Sequence, residues 1–274
     1  MNQKLYDFLK SLIPFALYVG VVLVVYFLFA IYASAVTHNV EEAEKLINNN
    51  LLQMTALVDA LLIPLFYLMW KSDRMLYPLK KTNMPLFTWS ILALIGASAC
   101  LALNYMLGMF MPQAILETYD EASEVLWNES LQWLSFLAVV ILAPLCEEMM
   151  FRGLIYTRMR VLMKAPYTIL ISGLLFGFFH GNALQFIYAF FLGILLAYMM
   201  EIYHTVWAPI IVHGSANLIS WFLTYIAMIP SDDGGILDYS VLAGTMLITF
   251  TGLFGIVYSK KIITKKSKSE EHHE

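Results

Sequence analysis

Two adjacent carboxylates followed by an arginine, Glu147-Glu148-Met149-Met150-Phe151-Arg152, interrupt a long apolar stretch. On a helix, Glu148 and Arg152 stand at i,i+4 with the acid first, the favourable order for an ion pair. Glu147 points about 100° away and has no cation on its own helix. A neutralised carboxylate beside a free one in an apolar setting separates their proton affinities, as acid–base work requires. A plain charge cluster at a helix end would show the same spacing, so depth must decide between the two readings.

Two further groups carry polar chemistry inside apolar runs. His180 closes Phe176-Gly177-Phe178-Phe179-His180, where Phe176 and His180 share a helix face. Gly173, Gly177 and Gly181 recur every four residues, a stripe that lets a second helix approach closely. His213-Gly214-Ser215-Ala216-Asn217 sets a histidine and an amide at i,i+4, two donors aimed in one direction. Each group alone also reads as an ordinary buried contact between helices. Asp59 sits in an apolar run with no partner that spacing identifies, and is read as a structural or gating group.

The elements that must position these residues are membrane helices. The chain is 60% hydrophobic and only 13% charged, with a mean hydropathy of +0.71. A soluble domain holds about 25% charged residues. The two cysteines, Cys100 and Cys146, lie in apolar runs and form neither a disulfide framework nor a CxxC metal pair. No basic surface suited to nucleic acid is present. The first apolar stretch, Ser11 to His38, exceeds a signal-peptide core and is read as a retained span.

Apolar runs near spanning length are Ser11–Val36, Leu51–Trp70, Leu86–Met111, Leu131–Met150, Pro166–Gly181, Leu184–Met200, Val206–Met228 and Tyr239–Ser259. They predict an all-α polytopic membrane protein of about eight transmembrane helices with an intramembrane active-site cavity. Residues 1–274 form one membrane domain, its motif-bearing core at about 131–228. With a cytoplasmic N-terminus, all of the 16 Lys and Arg residues except Lys45 fall on the inner side. Both termini are then cytoplasmic, and 260–274 is an unstructured, charged cytoplasmic tail.

Depth links the motifs. If the fourth helix stopped at Arg152, His180 would lie about 21 Å above the start of the fifth span and could not meet Glu147. If it runs on through Ile155–Leu162 and turns at Ala165-Pro166, Glu147 and His180 both lie roughly 15–17 positions from the turn. The segment holds no proline, and Gly153 is its only weak helix former. The long helix is therefore predicted, with Arg158 and Arg160 snorkelling or lying in the interface.

HExxH, GxSxG and a Walker loop are absent from the sequence. What remains is a carboxylate and a histidine able to activate water, plus His and Asn donors for an oxyanion. Zinc held by Glu147, His180 and His213 is the other arrangement those residue types permit.

Glu147-Glu148-xxx-Arg152, Phe176-xxx-His180 and His213-xxx-Asn217, in this order on separate helices, resemble the CAAX protease and bacteriocin-processing (CPBP, or Abi) family. That family includes the type II CAAX prenyl endopeptidases. The resemblance covers about Leu131 to Met228. It implies an intramembrane protease in which Glu147 and His180 activate water, His213 and Asn217 form the oxyanion hole, and Glu148, Arg152 and Phe176 support the site. A metal-free, glutamate-type mechanism with no cofactor is preferred, zinc being the alternative. The implied partners are a peptide or protein substrate and the lipid bilayer, with no nucleic acid. The rival functions are a proton-coupled transporter and a non-catalytic immunity or scaffold protein.

Overall fold

The computed structural model describes residues 3–76, 84–113, 132–226 and 236–271. Every regular element among them is helical. Lipid offers the backbone no hydrogen-bond partners, so a chain this apolar satisfies its amides within helices. The order is α1 (Gln3–Ser11), α2 (Ile13–Val36), α3 (Val40–Asn48), α4 (Leu51–Leu76), α5 (Leu86–Phe110), α6 (Gln132–Leu162), α7 (Ala165–Phe179), α8 (Ala183–Tyr203), α9 (Trp207–Ile226) and α10 (Ile236–Glu271).

All eight apolar runs form helices. Six helices are long and apolar enough to cross a membrane, and α7 is a shorter apolar helix. The eighth, α9, is 20 residues long and carries the polar residues His213 and Asn217. Two short helices appear where loops would be read: α1 before the first span and α3 after it. Asn39 caps α3, its side chain accepting from the Glu42 amide at 2.9 Å. The charged tail departs from expectation. Helix α10 continues through Lys260 to Glu271, because that stretch contains neither glycine nor proline to stop it.

Helix α6 is the axis of the fold and has the predicted long form. It runs to Leu162, and Met163 caps it in extended conformation. Helix α7 then starts at Ala165 with Pro166 in its first turn, where a missing amide hydrogen costs nothing. Helices α2, α4, α7, α8 and α9 all pack against α6. Its turn from Met149 to Tyr156 is buried at every position.

Two stretches of α6, Phe136–Leu142 and Met149–Tyr156, are wound as π-helix. In the first, the Ala143 amide reaches back five residues to the Ala138 carbonyl. The next amide in that pattern belongs to residue 144, which is proline and has no hydrogen to donate. The Val139 carbonyl therefore loses its ladder partner. Such π-segments concentrate at functional sites.

Helices α7 and α8 form a tight hairpin. A Cβ on Gly173 would come within 2.8 Å of Ile194, and one on Gly177 within 2.9 Å of the Phe186 carbonyl oxygen. These two glycines serve the close approach that their spacing predicts. Gly181, the third of the series, does not. It forms the turn between α7 and α8 with φ +79, a left-handed value that favours glycine.

Candidate active site

Arg152, Glu148 and His213 form the buried centre of the site. Glu148 and Arg152 are 0% exposed and His213 is 3% exposed. The Arg152 Nη1 donates to Glu148 Oε1 at 3.0 Å, the pair predicted from i,i+4 spacing. Its Nη2 donates to the Gly193 carbonyl of α8 at 2.8 Å. The guanidinium also lies over the Phe176 ring, 4.4 Å from the centroid. A buried arginine needs partners for its charge, and here a carboxylate, a carbonyl and a ring supply them, while Nε has no hydrogen-bond partner among the described residues.

The same Glu148 oxygen bonds His213 Nδ1 at 2.9 Å. Glu148 is thus the hub joining α6 to α9. Sequence spacing assigns it to Arg152 alone, because nothing local links residues 148 and 213. The bond also sets the imidazole chemistry. Nδ1–H donates to the carboxylate in both the neutral and the charged ring, and Nε2 carries a hydrogen only in the charged ring.

His180 caps the C-terminal end of α7. Its Nδ1 bonds the Phe176 carbonyl at 2.8 Å, which leaves Nε2 uncommitted by that bond. The Phe176 ring stands edge-on to both imidazoles, 4.8 Å from His180 and 5.5 Å from His213. Phe176, fully buried, is the spacer that sets the two histidines apart. His180 is within electrostatic reach of His213, Arg152 and Glu148.

Asn217 follows His213 by one turn and is half-buried. Its side-chain amide donates to the Val139 carbonyl at 2.8 Å. This is the oxygen that Pro144 leaves without a ladder partner, so Asn217 completes the π-helical stretch of α6. One of its two amide hydrogens is thereby used and the other remains. Gly214 faces the Val140 carbonyl, where a Cβ would make an ordinary contact at 3.4 Å. On the opposite side of α9, a Cβ at Gly96 of α5 would overlap the Val212 carbonyl oxygen.

Glu147 is 8% exposed. Its Oε2 is buried and has no hydrogen-bond partner among the described residues. It bonds neither histidine, and lies within electrostatic reach of Asp59 on α4 as well as Glu148 and Arg152. Asp59 does have a partner that spacing could not reveal: Tyr18 of α2 donates to its Oδ1 at 3.3 Å. Zinc needs about three protein ligands converging on one point. No group of three His, Cys, Asp or Glu side chains meets that geometry among the described residues, so no step is assigned to a metal.

The two snorkelling arginines are paired instead. Arg158 binds Asp73 of α4 at 2.7 Å. Arg160 binds Glu201 of α8 at 3.0 Å, and Tyr156 donates to the same carboxylate at 2.7 Å. These contacts tie the basic end of α6 to its neighbours.

Residues 129–219 match the family described as type II CAAX prenyl endopeptidase Rce1-like, consistent with a CPBP-family protease. The match holds all three motifs and leaves α1 to α5 and α10 outside it. No curated protein and no solved structure matches the chain. The family indicates a protease, and the apolar helices indicate an integral, multi-pass membrane protein.

Proposed function

We propose that this chain is a glutamate-type intramembrane endopeptidase in which Glu147 and His180 activate a water molecule. His213 and Asn217 stabilise the tetrahedral oxyanion, while Glu148, Arg152 and Phe176 hold the histidines. The observation that carries the reading is the Glu148–His213 bond. It draws the third motif onto the first, beside a Glu147 oxygen with no partner of its own.

In this reading Glu147 takes a proton from water as the water oxygen attacks the peptide carbonyl. His180 Nε2 accepts the other hydrogen of that water and so orients it. The carbonyl oxygen becomes negative and receives hydrogens from His213 Nε2 and from the spare Asn217 amide hydrogen. His213 fills this role only as the charged ring, because its Nδ1 hydrogen is committed to Glu148. On collapse the peptide C–N bond breaks, and the proton held by Glu147 passes to the leaving nitrogen. Neither a nucleophilic side chain nor a metal enters the sequence of steps.

The substrate is a peptide or a protein segment presented from the bilayer, of a CAAX-like, bacteriocin or signalling class. Both termini lie in the cytoplasm, on the Lys/Arg-rich side of the membrane. The deciding experiment incubates purified protein with such peptides and compares wild type with Glu147→Gln. The amide keeps the shape and cannot accept the proton, so cleavage should vanish while folding persists. Cleavage by Glu147→Gln at the wild-type rate would refute the assignment. A proton-coupled transporter predicts instead no cleavage and a pH-dependent flux in liposomes that Glu147→Gln abolishes.

A further inference from the structure

Asp59 lies outside the matched segment, in the first half of α4, and is 1% exposed. An ionisable group buried within an apolar span is costly to insert, and marks a function or a partner. Its surroundings are specific. The Tyr18 hydroxyl, on a residue 6% exposed, donates to Asp59 Oδ1 at 3.3 Å. The Cys146 thiol, fully buried, faces the same carboxyl. Cys146 is the residue immediately before Glu147, and α4 packs directly on this part of α6. Tyr18 in turn stands edge-on to Phe179, the neighbour of His180, with ring centroids 4.9 Å apart.

One carboxyl therefore ties α2 and α4 to the residue on each flank of the proposed water site. On the α6 side it lies where α4 packs on the Ala143–Glu148 stretch, beside Cys146 and the backbone that aims Glu147. On the α7 side, Tyr18 backs Phe179 beside His180. The Glu147 Oε2 has no hydrogen bond of its own to fix it, so its direction depends on what holds the adjacent backbone.

We propose that Asp59 is a positioning residue of the active site, aiming Glu147 through its hydrogen bond to Tyr18 and its packing beside Cys146. The inference rests on the endopeptidase reading given above. It makes the first two spans part of the catalytic framework, although neither carries a motif.

The test measures kcat and KM on a cleaved peptide for detergent-purified Asp59→Asn, Asp59→Leu and Tyr18→Phe, each confirmed as a single folded species by gel filtration. Leucine fills the space without bonding, and misaiming Glu147 should lower kcat about a hundredfold at unchanged KM. Asparagine keeps an acceptor for Tyr18 and should stay within about twofold of wild type, whereas Tyr18→Phe, which loses the hydrogen bond, should lower kcat about fivefold. A purely structural role would lower yield and melting temperature while leaving kcat of the folded fraction intact, and that result overturns the proposal. So does an Asp59→Asn variant as slow as Asp59→Leu. If Asp59→Leu fails to fold, an unchanged kcat in Tyr18→Phe overturns it, and a severalfold fall in kcat alone sustains it. A wild type that cleaves no peptide overturns both this inference and the endopeptidase reading. A cleaving wild type matched by Asp59→Leu overturns this inference alone.

Discussion

Glu148 Oε1 accepts from Arg152 Nη1 at 3.0 Å and from His213 Nδ1 at 2.9 Å. One buried oxygen thus anchors a cation of its own helix and an imidazole 65 positions further along the chain. Removing one member of such a buried set leaves the others uncompensated, which costs about 3–5 kcal/mol. Glu148→Gln keeps the volume and withdraws the charge that Arg152 needs. It should therefore lower the melting temperature markedly and depress turnover even in the folded fraction. Thermal unfolding followed by tryptophan fluorescence, with parallel peptide cleavage, checks both effects.

Asn217 and Pro144 should be coupled through Val139. Asn217→Ala removes an oxyanion donor, worth up to about a thousandfold in turnover. It also strands a half-buried carbonyl, at about 1 kcal/mol or more. Pro144→Ala restores an amide that can satisfy Val139. The double variant should recover the stability lost by Asn217→Ala without recovering the rate. Equal recovery of rate and stability would mean that Asn217 serves only the helix contact.

The mechanism without a metal makes a separate claim. Exhaustive chelation should leave the cleavage rate of the purified wild type unchanged, and added zinc should not increase it. Inactivation by chelator with restoration by zinc would overturn the glutamate-type mechanism. His180→Ala should then also lose bound metal, as measured by elemental analysis.

The orientation of the helices is tested by the Lys/Arg asymmetry. Single cysteines replacing Lys45 in α3 and Lys164 at the α6–α7 turn, in a Cys100→Ala, Cys146→Ala background, should label from opposite sides. Lys45→Cys should react with an impermeant maleimide in intact cells, and Lys164→Cys only after permeabilisation. The reverse pattern would invert the topology.

Much of the fold follows from the chain alone, because the membrane reduces the choice to helices. Composition and run length set the number of spans. The Glu148–Arg152 pair is legible because i,i+4 neighbours meet on any helix. The long form of α6 is legible because only that length brings Glu147 and His180 to one depth. The helical tail to Glu271 differs from the disorder that its charge argues for, because helix propensity argues the other way.

What tertiary structure decided is every contact between helices whose partners lie far apart in sequence. The Glu148–His213 bond, the use of the Val139 carbonyl by Asn217, and the Tyr18–Asp59 link span 65, 78 and 41 positions. Periodicity states which face of a helix is polar and at what depth, and it says nothing of which neighbour that face meets. That depends on crossing and rotation, set here where Gly96, Gly173 and Gly193 allow backbones to touch. Asp59 shows the boundary most clearly: its burial is evident from the apolar residues around it, while its partners exist only once α2, α4 and α6 have packed.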